Sequence, residues 1–218
     1  MIEAPKAGDG RTHPDREAAV VRWAIPVGAA IWGVLFALRP AGFWLPMAAG
    51  VGGLSILAMV VRGPFPVREG VRWADLCTGA AAAGVLYGAF ALGRMAIARA
   101  FPAASVQIGE IYALRSLAPA WVIAALMIAV IGPGEEIFWR GLVQRGLVAR
   151  YGPRVGWAAS TIVYGGVHAA AVNPLLIVAA LVAGGFWGYL YLRIGRIAPI
   201  VVSHVVWDLL VFLVLPFQ

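Results

Sequence analysis

Charged side chains are scarce. Asp, Glu, Lys and Arg make up 12% of the 218 residues, where a soluble domain carries about a quarter. Lysine occurs once, at Lys6, and the remaining positive charge is arginine. The formal net charge of +7 does not imply a nucleic-acid partner, because the arginines are dispersed between apolar runs and form no basic face. Cysteine also occurs once, at Cys77. That excludes an intrachain disulfide and a thiolate metal site, and its apolar neighbours mark Cys77 as a packing residue. Alternation with period two is missing, which excludes a membrane barrel. Internal repeats are missing too, so the inverted-repeat architecture of many transporters has no support.

What the chain has is apolar length: 62% of it is hydrophobic. Seven apolar stretches follow one another: Trp23–Leu38, Phe43–Val61, Ala74–Ala98, Ala118–Trp139, Val155–Ala171, Leu175–Leu192 and Ile197–Leu215. Several fall short of the roughly 20 residues of a full span. The predicted fold is an all-α polytopic membrane protein with about seven transmembrane helices around an intramembrane polar cavity. Residues 1–19 are polar, with no signal-peptide pattern, and are expected to form a mobile cytoplasmic tail. Residues 20–218 read as a single membrane-embedded domain. Pro26, Pro119 and Pro199 fall near predicted span starts, where a missing amide proton matters least. The glycines at 79, 84 and 88 and at 184, 185 and 188 are expected to allow close helix packing. The segment Arg99–Leu117 is too polar for a span and reads as a loop or amphipathic element.

Basic residues set the orientation. With the N-terminus inside, the inner segments hold Lys6, Arg11, Arg16 and Arg22, then Arg62, Arg68 and Arg72, then Arg145, Arg150 and Arg154, then Arg193 and Arg196. The outer segments hold only Arg39, Arg99 and Arg115. The expected location is a bacterial inner membrane with a cytoplasmic N-terminus, the arginine-rich usage being that of a high-GC genome.

Ionisable groups inside a bilayer are costly and functional by default. Gly132-Pro133-Gly134 is expected to kink or break the fourth helix and let a new one start, with Glu135 and Glu136 in its first turn. The helix dipole favours carboxylates at that end. Glu136 and Arg140 are four apart and can pair on one face. Glu135 points about 100° away and is free to face a cavity. His168 lies in an apolar helix with Tyr164 one turn before it, and by itself is equally well a structural histidine. His204 and Asp208 are four apart, so the carboxylate can orient the imidazole. Three spans thus contribute titratable groups that can converge on one polar cavity. Such a set supplies the parts for hydrolysing an amide.

At these residues the chain resembles the CPBP family of intramembrane proteases, which includes the type II CAAX prenyl endopeptidases. The family pattern is matched by Glu135-Glu136-x-x-x-Arg140, Tyr164-x-x-x-His168 and His204-x-x-x-Asp208, in that order, within residues 131–212. The resemblance implies a glutamic-type peptidase in which Glu135 and His168 activate water. It implies that His204 and the residue at 208 stabilise the oxyanion, while Glu136 and Arg140 brace the first motif. Tyr164 stands where the family has phenylalanine; its hydroxyl can bond within the cavity or reach a backbone carbonyl. Asp208 stands where many members have asparagine. An ionised aspartate cannot donate to an oxyanion, so the expectation is that Asp208 orients His204 and leaves donation to the ring.

The function expected is therefore an intramembrane endopeptidase acting on a membrane-anchored or lipid-modified protein or peptide, approached from the cytoplasmic side, with no cofactor. A zinc-dependent variant stays open, with Glu135, His168 and His204 as ligands, although the His-Glu-x-x-His helix motif is absent. The non-enzymatic alternatives are a membrane peptide-binding, immunity or scaffold protein, or a proton-coupled transporter.

Overall fold

A computed structural model describes residues 14–40, 42–64, 68, 70–101 and 104–217. The expected tail lies outside the described residues over its first thirteen positions. The described residues contain helices and connecting turns, with no strand. They form α1 Pro14–Leu38, α2 Trp44–Arg62, α3 Trp73–Ala100, α4 Ala104–Tyr112, α5 Ala120–Tyr151, α6 Pro153–Gly166, α7 Pro174–Ile194 and α8 Ala198–Leu209. A 3₁₀ turn, Val167–Ala171, extends α6, and a π-helical turn, Leu210–Val214, extends α8.

Five helical segments are long and apolar enough to cross a membrane: Ala19–Leu38, Trp44–Arg62, Trp73–Arg99, Ala120–Tyr151 and Pro174–Ile194. The two remaining predicted stretches form shorter elements, α6 with its 3₁₀ turn and Ala198–Val214. Outward side chains such as Ile56, Val60, Val85 and Ile162 are exposed, an arrangement suited to acyl chains. The protein is thus an integral membrane protein. The Arg99–Leu117 segment is no span, as expected: it holds the short α4 and a 3₁₀ turn.

Proline and glycine punctuate the helices only in part as predicted. Pro119 precedes α5 and Pro199 lies in the first turn of α8. Pro26 instead lies inside α1, because the helix begins well before the apolar run. Of the small-residue stripes, Gly184 and Gly188 pack closely, against Tyr164 and Gln144, and Gly79 packs against Val202 of α8. Gly84 and Gly88 have no neighbour within 4 Å of an added Cβ, so close packing is not their role in this bundle.

The two ends of the bundle are fastened differently. At one end Arg196, between α7 and α8, bonds Asp75 at 2.7 Å and the Gly70 carbonyl at 3.1 Å, and Arg62 donates to the Gly141 carbonyl. At the opposite end Arg39 donates to the Ala171 carbonyl at 2.8 Å, and the Trp44 indole donates to the Leu114 carbonyl at 2.9 Å. Asn173 caps α7 through the Leu176 amide and donates to the Gln107 carbonyl of α4 at 2.9 Å.

Candidate active site

The acidic pair sits midway along α5, and the helix does not break there. Ala120–Tyr151 runs through, but Met127–Ile131 and Trp139–Gln144 are π-helical, with an α-helical turn, Gly132–Phe138, between them. The physical reason is Pro133. A proline inside a helix lacks an amide proton and clashes with the carbonyl four residues back. The wider π turn just before it, closed by Gly132 N–H to the Met127 carbonyl, relieves both problems without ending the helix. Such widened turns recur at functional sites. The flanking glycines are there for contact. A Cβ on Gly132 would meet Val205 Cγ2 of α8 at 2.6 Å, and one on Gly134 would meet Ser55 Oγ of α2 at 2.6 Å.

The two glutamates part company as the helical geometry predicts. Glu136 is fully buried. Its Oε1 accepts from Arg140 Nη1 at 2.9 Å and pairs with His204 Nδ1 at 2.7 Å. Arg140 Nη2 also donates to the Gly184 carbonyl at 3.2 Å, and the guanidinium lies 4.7 Å from the Tyr164 ring and 5.5 Å from the Trp187 ring. Glu135 turns the other way, and its Oε2 accepts the Tyr164 hydroxyl at 2.9 Å. The alternative left open for Tyr164 is thereby decided: its hydroxyl serves the site and not a backbone carbonyl.

His168 falls on the 3₁₀ turn after α6, where its Nδ1 lies 2.8 Å from the Tyr164 carbonyl. A carbonyl only accepts, so Nδ1 carries a proton, and in the neutral ring Nε2 is left as the acceptor. Phe36 and Tyr164 pack against the ring, with centroids 5.3 and 5.2 Å away. His204 is stacked on Trp187 with centroids 3.9 Å apart. Its Nε2 lies 3.5 Å from Asp208 Oδ2. The ring thus lies between two carboxylates, Glu136 at Nδ1 and Asp208 at Nε2. The expected Asp208 contact is present, and Glu136 adds a second, shorter one.

Glu135, Tyr164, His168, His204 and Asp208 all line one cavity of about 360 Å³. Glu136 and Arg140 lie behind its wall. Three separate helices and a 3₁₀ turn thus bring the predicted residues together, despite the uneven depths of the two histidines along their own segments. Trp187 and Phe36 were missed in the sequence. Both look like lipid-facing or core residues in an apolar run, and only the Gly184-Gly185-x-Trp187-Gly188 cluster hinted at a close contact. The described residues hold no group of three His, Cys, Asp or Glu side chains arranged to hold a metal ion.

The cavity opens at the end of α1 that carries Arg39, away from the arginine-rich end. Its walls come from the last turn of α1 (Phe36, Arg39), the first turns of α2 (Trp44, Met47) and the end of α6 (His168, Ala171), with Trp187 and His204 as its floor.

Residues 116–210 match the family model described as Type II CAAX prenyl endopeptidase Rce1-like. Comparison with curated proteins and with solved structures gives no match.

Proposed function

From the CPBP-family membership that the match over residues 116–210 supports, we propose that the chain is a glutamic-type intramembrane endopeptidase acting on membrane-associated peptides or proteins. The single observation that carries the reading is the shared cavity, in which Glu135, His168 and His204 meet. In this reading all seven apolar elements lie in a bacterial inner membrane with the arginine-rich end inside, and residues 20–218 act as one unit.

The mechanism follows from the hydrogen bonds. Tyr164 holds one oxygen of Glu135 and leaves the other to accept from a water. His168, whose Nδ1–H is held by the Tyr164 carbonyl, turns Nε2 of the neutral ring to accept from the same water. Glu135 takes a proton as the water oxygen attacks the scissile carbonyl carbon. The negative charge that develops on the carbonyl oxygen is met by His204, whose longer contact, to Asp208, is the one a substrate oxygen replaces most easily. The proton then passes to the departing amine as the C–N bond breaks. General acid–base help of this kind contributes about 10²–10⁴-fold.

Tyr164→Phe tests the hydroxyl. The ring is retained against Arg140 and His168, so the loss is one hydrogen bond to a charged group, about 1.5–3 kcal/mol. The expected result is a fall in kcat of roughly 10–150-fold at unchanged KM, read with a quenched membrane peptide in proteoliposomes. Unchanged kcat removes Tyr164 from the mechanism.

Asp208 separates orienting from donating. Asp208→Asn can still accept from His204 and can itself donate, so it is expected to keep activity within about tenfold. Asp208→Ala leaves His204 held by Glu136 alone and is expected to lose about 10²-fold, the scale of an oxyanion donor. Equal, near-complete retention in both variants removes Asp208 from the site.

A non-catalytic peptide binder would use the same cavity. Glu135→Gln distinguishes the two: comparative proteomics of membrane peptides, wild type against variant, is expected to find cut ends that depend on Glu135, whereas a binder leaves none.

A further inference from the structure

We propose that the cavity receives its substrate from the non-cytoplasmic side of the membrane, so that the segment cleaved is an extended, largely apolar stretch presented at the outer leaflet. This rests on the proteolytic reading above and adds the side from which that site is reached.

The first observation is where the cavity opens. The helices alternate in direction, and the ends that meet at the mouth are the last turn of α1, the start of α2, the end of α3, the short α4, the end of α6 and the start of α7. Arg39, Arg94, Glu110 and Asn173 stand on this rim. Cross-links between elements agree on which ends lie together: Arg39 with Ala171, Trp44 with Leu114, and Asn173 with Gln107.

The second observation is that the route from the other end is filled. Below Glu135 and His204 lies a layer made of Glu136, Arg140, Gln144 and Trp187, none more than 2% exposed. Gln144 closes the layer by donating to the Gly188 carbonyl at 2.8 Å. Ile197 and Ile200 are as deeply buried beneath it. From Gln144 to the end of α5 at Tyr151 is a further ~10 Å of helix. A peptide cannot reach the cavity from that end without unpacking this polar layer.

The third observation is charge. Ten described arginines lie in the segments of the filled end: two at the start of α1, three around the α2–α3 connection, three where α5 turns into α6, and two where α7 turns into α8. The open end has four, Arg39, Arg99 and Arg115 in its connecting segments and Arg94 near the end of α3. Short loops rich in arginine stay in the cytoplasm, so the filled end faces inward and the cavity outward.

The lining supports an apolar occupant. Between the mouth and Glu135 the walls are largely apolar, aromatic residues such as Phe43 and Phe90 alternating with small or aliphatic ones such as Ala89, Val178 and Val182 of α3 and α7. Val178 and Val182 are also exposed outward, so this wall continues onto the lipid-facing surface.

Two cysteine variants on a Cys77→Ala background test the inference. Val172 is exposed at the open end and Tyr151 is exposed at the filled end. With a membrane-impermeant maleimide on intact spheroplasts, Val172→Cys is expected to label as fully as after permeabilisation. Tyr151→Cys is expected to label only after permeabilisation. The reverse pattern overturns the inference and leaves the protease reading intact. The cut ends that depend on Glu135 supply the second arm, since they are expected to map to extracytoplasmic segments. Cut ends confined to cytoplasmic segments overturn the inference even with the expected labelling. If no cut depends on Glu135, the protease reading itself falls, and the labelling separately decides where the cavity opens.

Discussion

Glu135→Gln is expected to cut peptide turnover by about 10²–10⁴-fold in kcat, while substrate binding and the fold persist. Glutamine has the shape of the carboxylate and still accepts the Tyr164 hydroxyl, so the cavity wall is undisturbed. It cannot take a proton from water at any accessible pH, and the groups nearest to it have other tasks. His168 offers one lone pair, Asp208 faces His204, and Glu136 is committed to Arg140 and His204 behind the wall. Two measurements belong together: turnover of a membrane peptide in proteoliposomes, and capture of the uncleaved substrate by the variant. Full turnover by Glu135→Gln sinks the glutamic mechanism. Loss of turnover together with loss of folded protein leaves the residue structural.

Arg140→Leu is expected to have the largest effect on stability. Removing one partner of a buried ion pair costs about 3–5 kcal/mol, because the other charge is left uncompensated. Here the loss is compounded. Arg140 also donates to the Gly184 carbonyl and sits against the faces of Tyr164 and Trp187. The expected result is a sharply lowered melting temperature in detergent, or no folded protein. Lysine should not rescue it, since a single ammonium cannot reproduce two planar donors and two ring contacts. The double variant Arg140→Leu with Glu136→Gln is expected to recover part of the stability, because the stranded charge is gone. An Arg140→Leu protein with wild-type melting behaviour would show that the pair contributes nothing to the fold.

The paired effects explain how residues four apart on one helix divide their work. Adjacent glutamates differ by about 100° around α5, and this small fact sends Glu135 to the cavity and Glu136 into the wall. It was legible in the sequence, as were the Glu136–Arg140 and His204–Asp208 pairs, because within one helix spacing determines proximity. Contacts between helices were not legible. Nothing in the spacing of Tyr164 announces that its hydroxyl reaches Glu135, or that His204 turns its nearer nitrogen to Glu136 and stacks on Trp187. At Gly132-Pro133-Gly134, where a kink or a break was expected, the helix runs on through a π turn for a related reason. Local propensity opposes proline in a helix, but a π turn absorbs the defect while Val205, Val51 and Ser55 pack against the glycines.

Composition and hydropathy were enough to establish a membrane-embedded all-helical chain, and motif spacing was enough to nominate its titratable residues, because insertion into lipid demands long apolar segments and makes any buried charge conspicuous. How those charges are shared, which of them see water, and at which end the cavity opens were decided only when the helices packed. Those properties depend on the crossing of α2, α5, α6, α7 and α8, and helix packing joins residues far apart in sequence through contacts that no local pattern encodes.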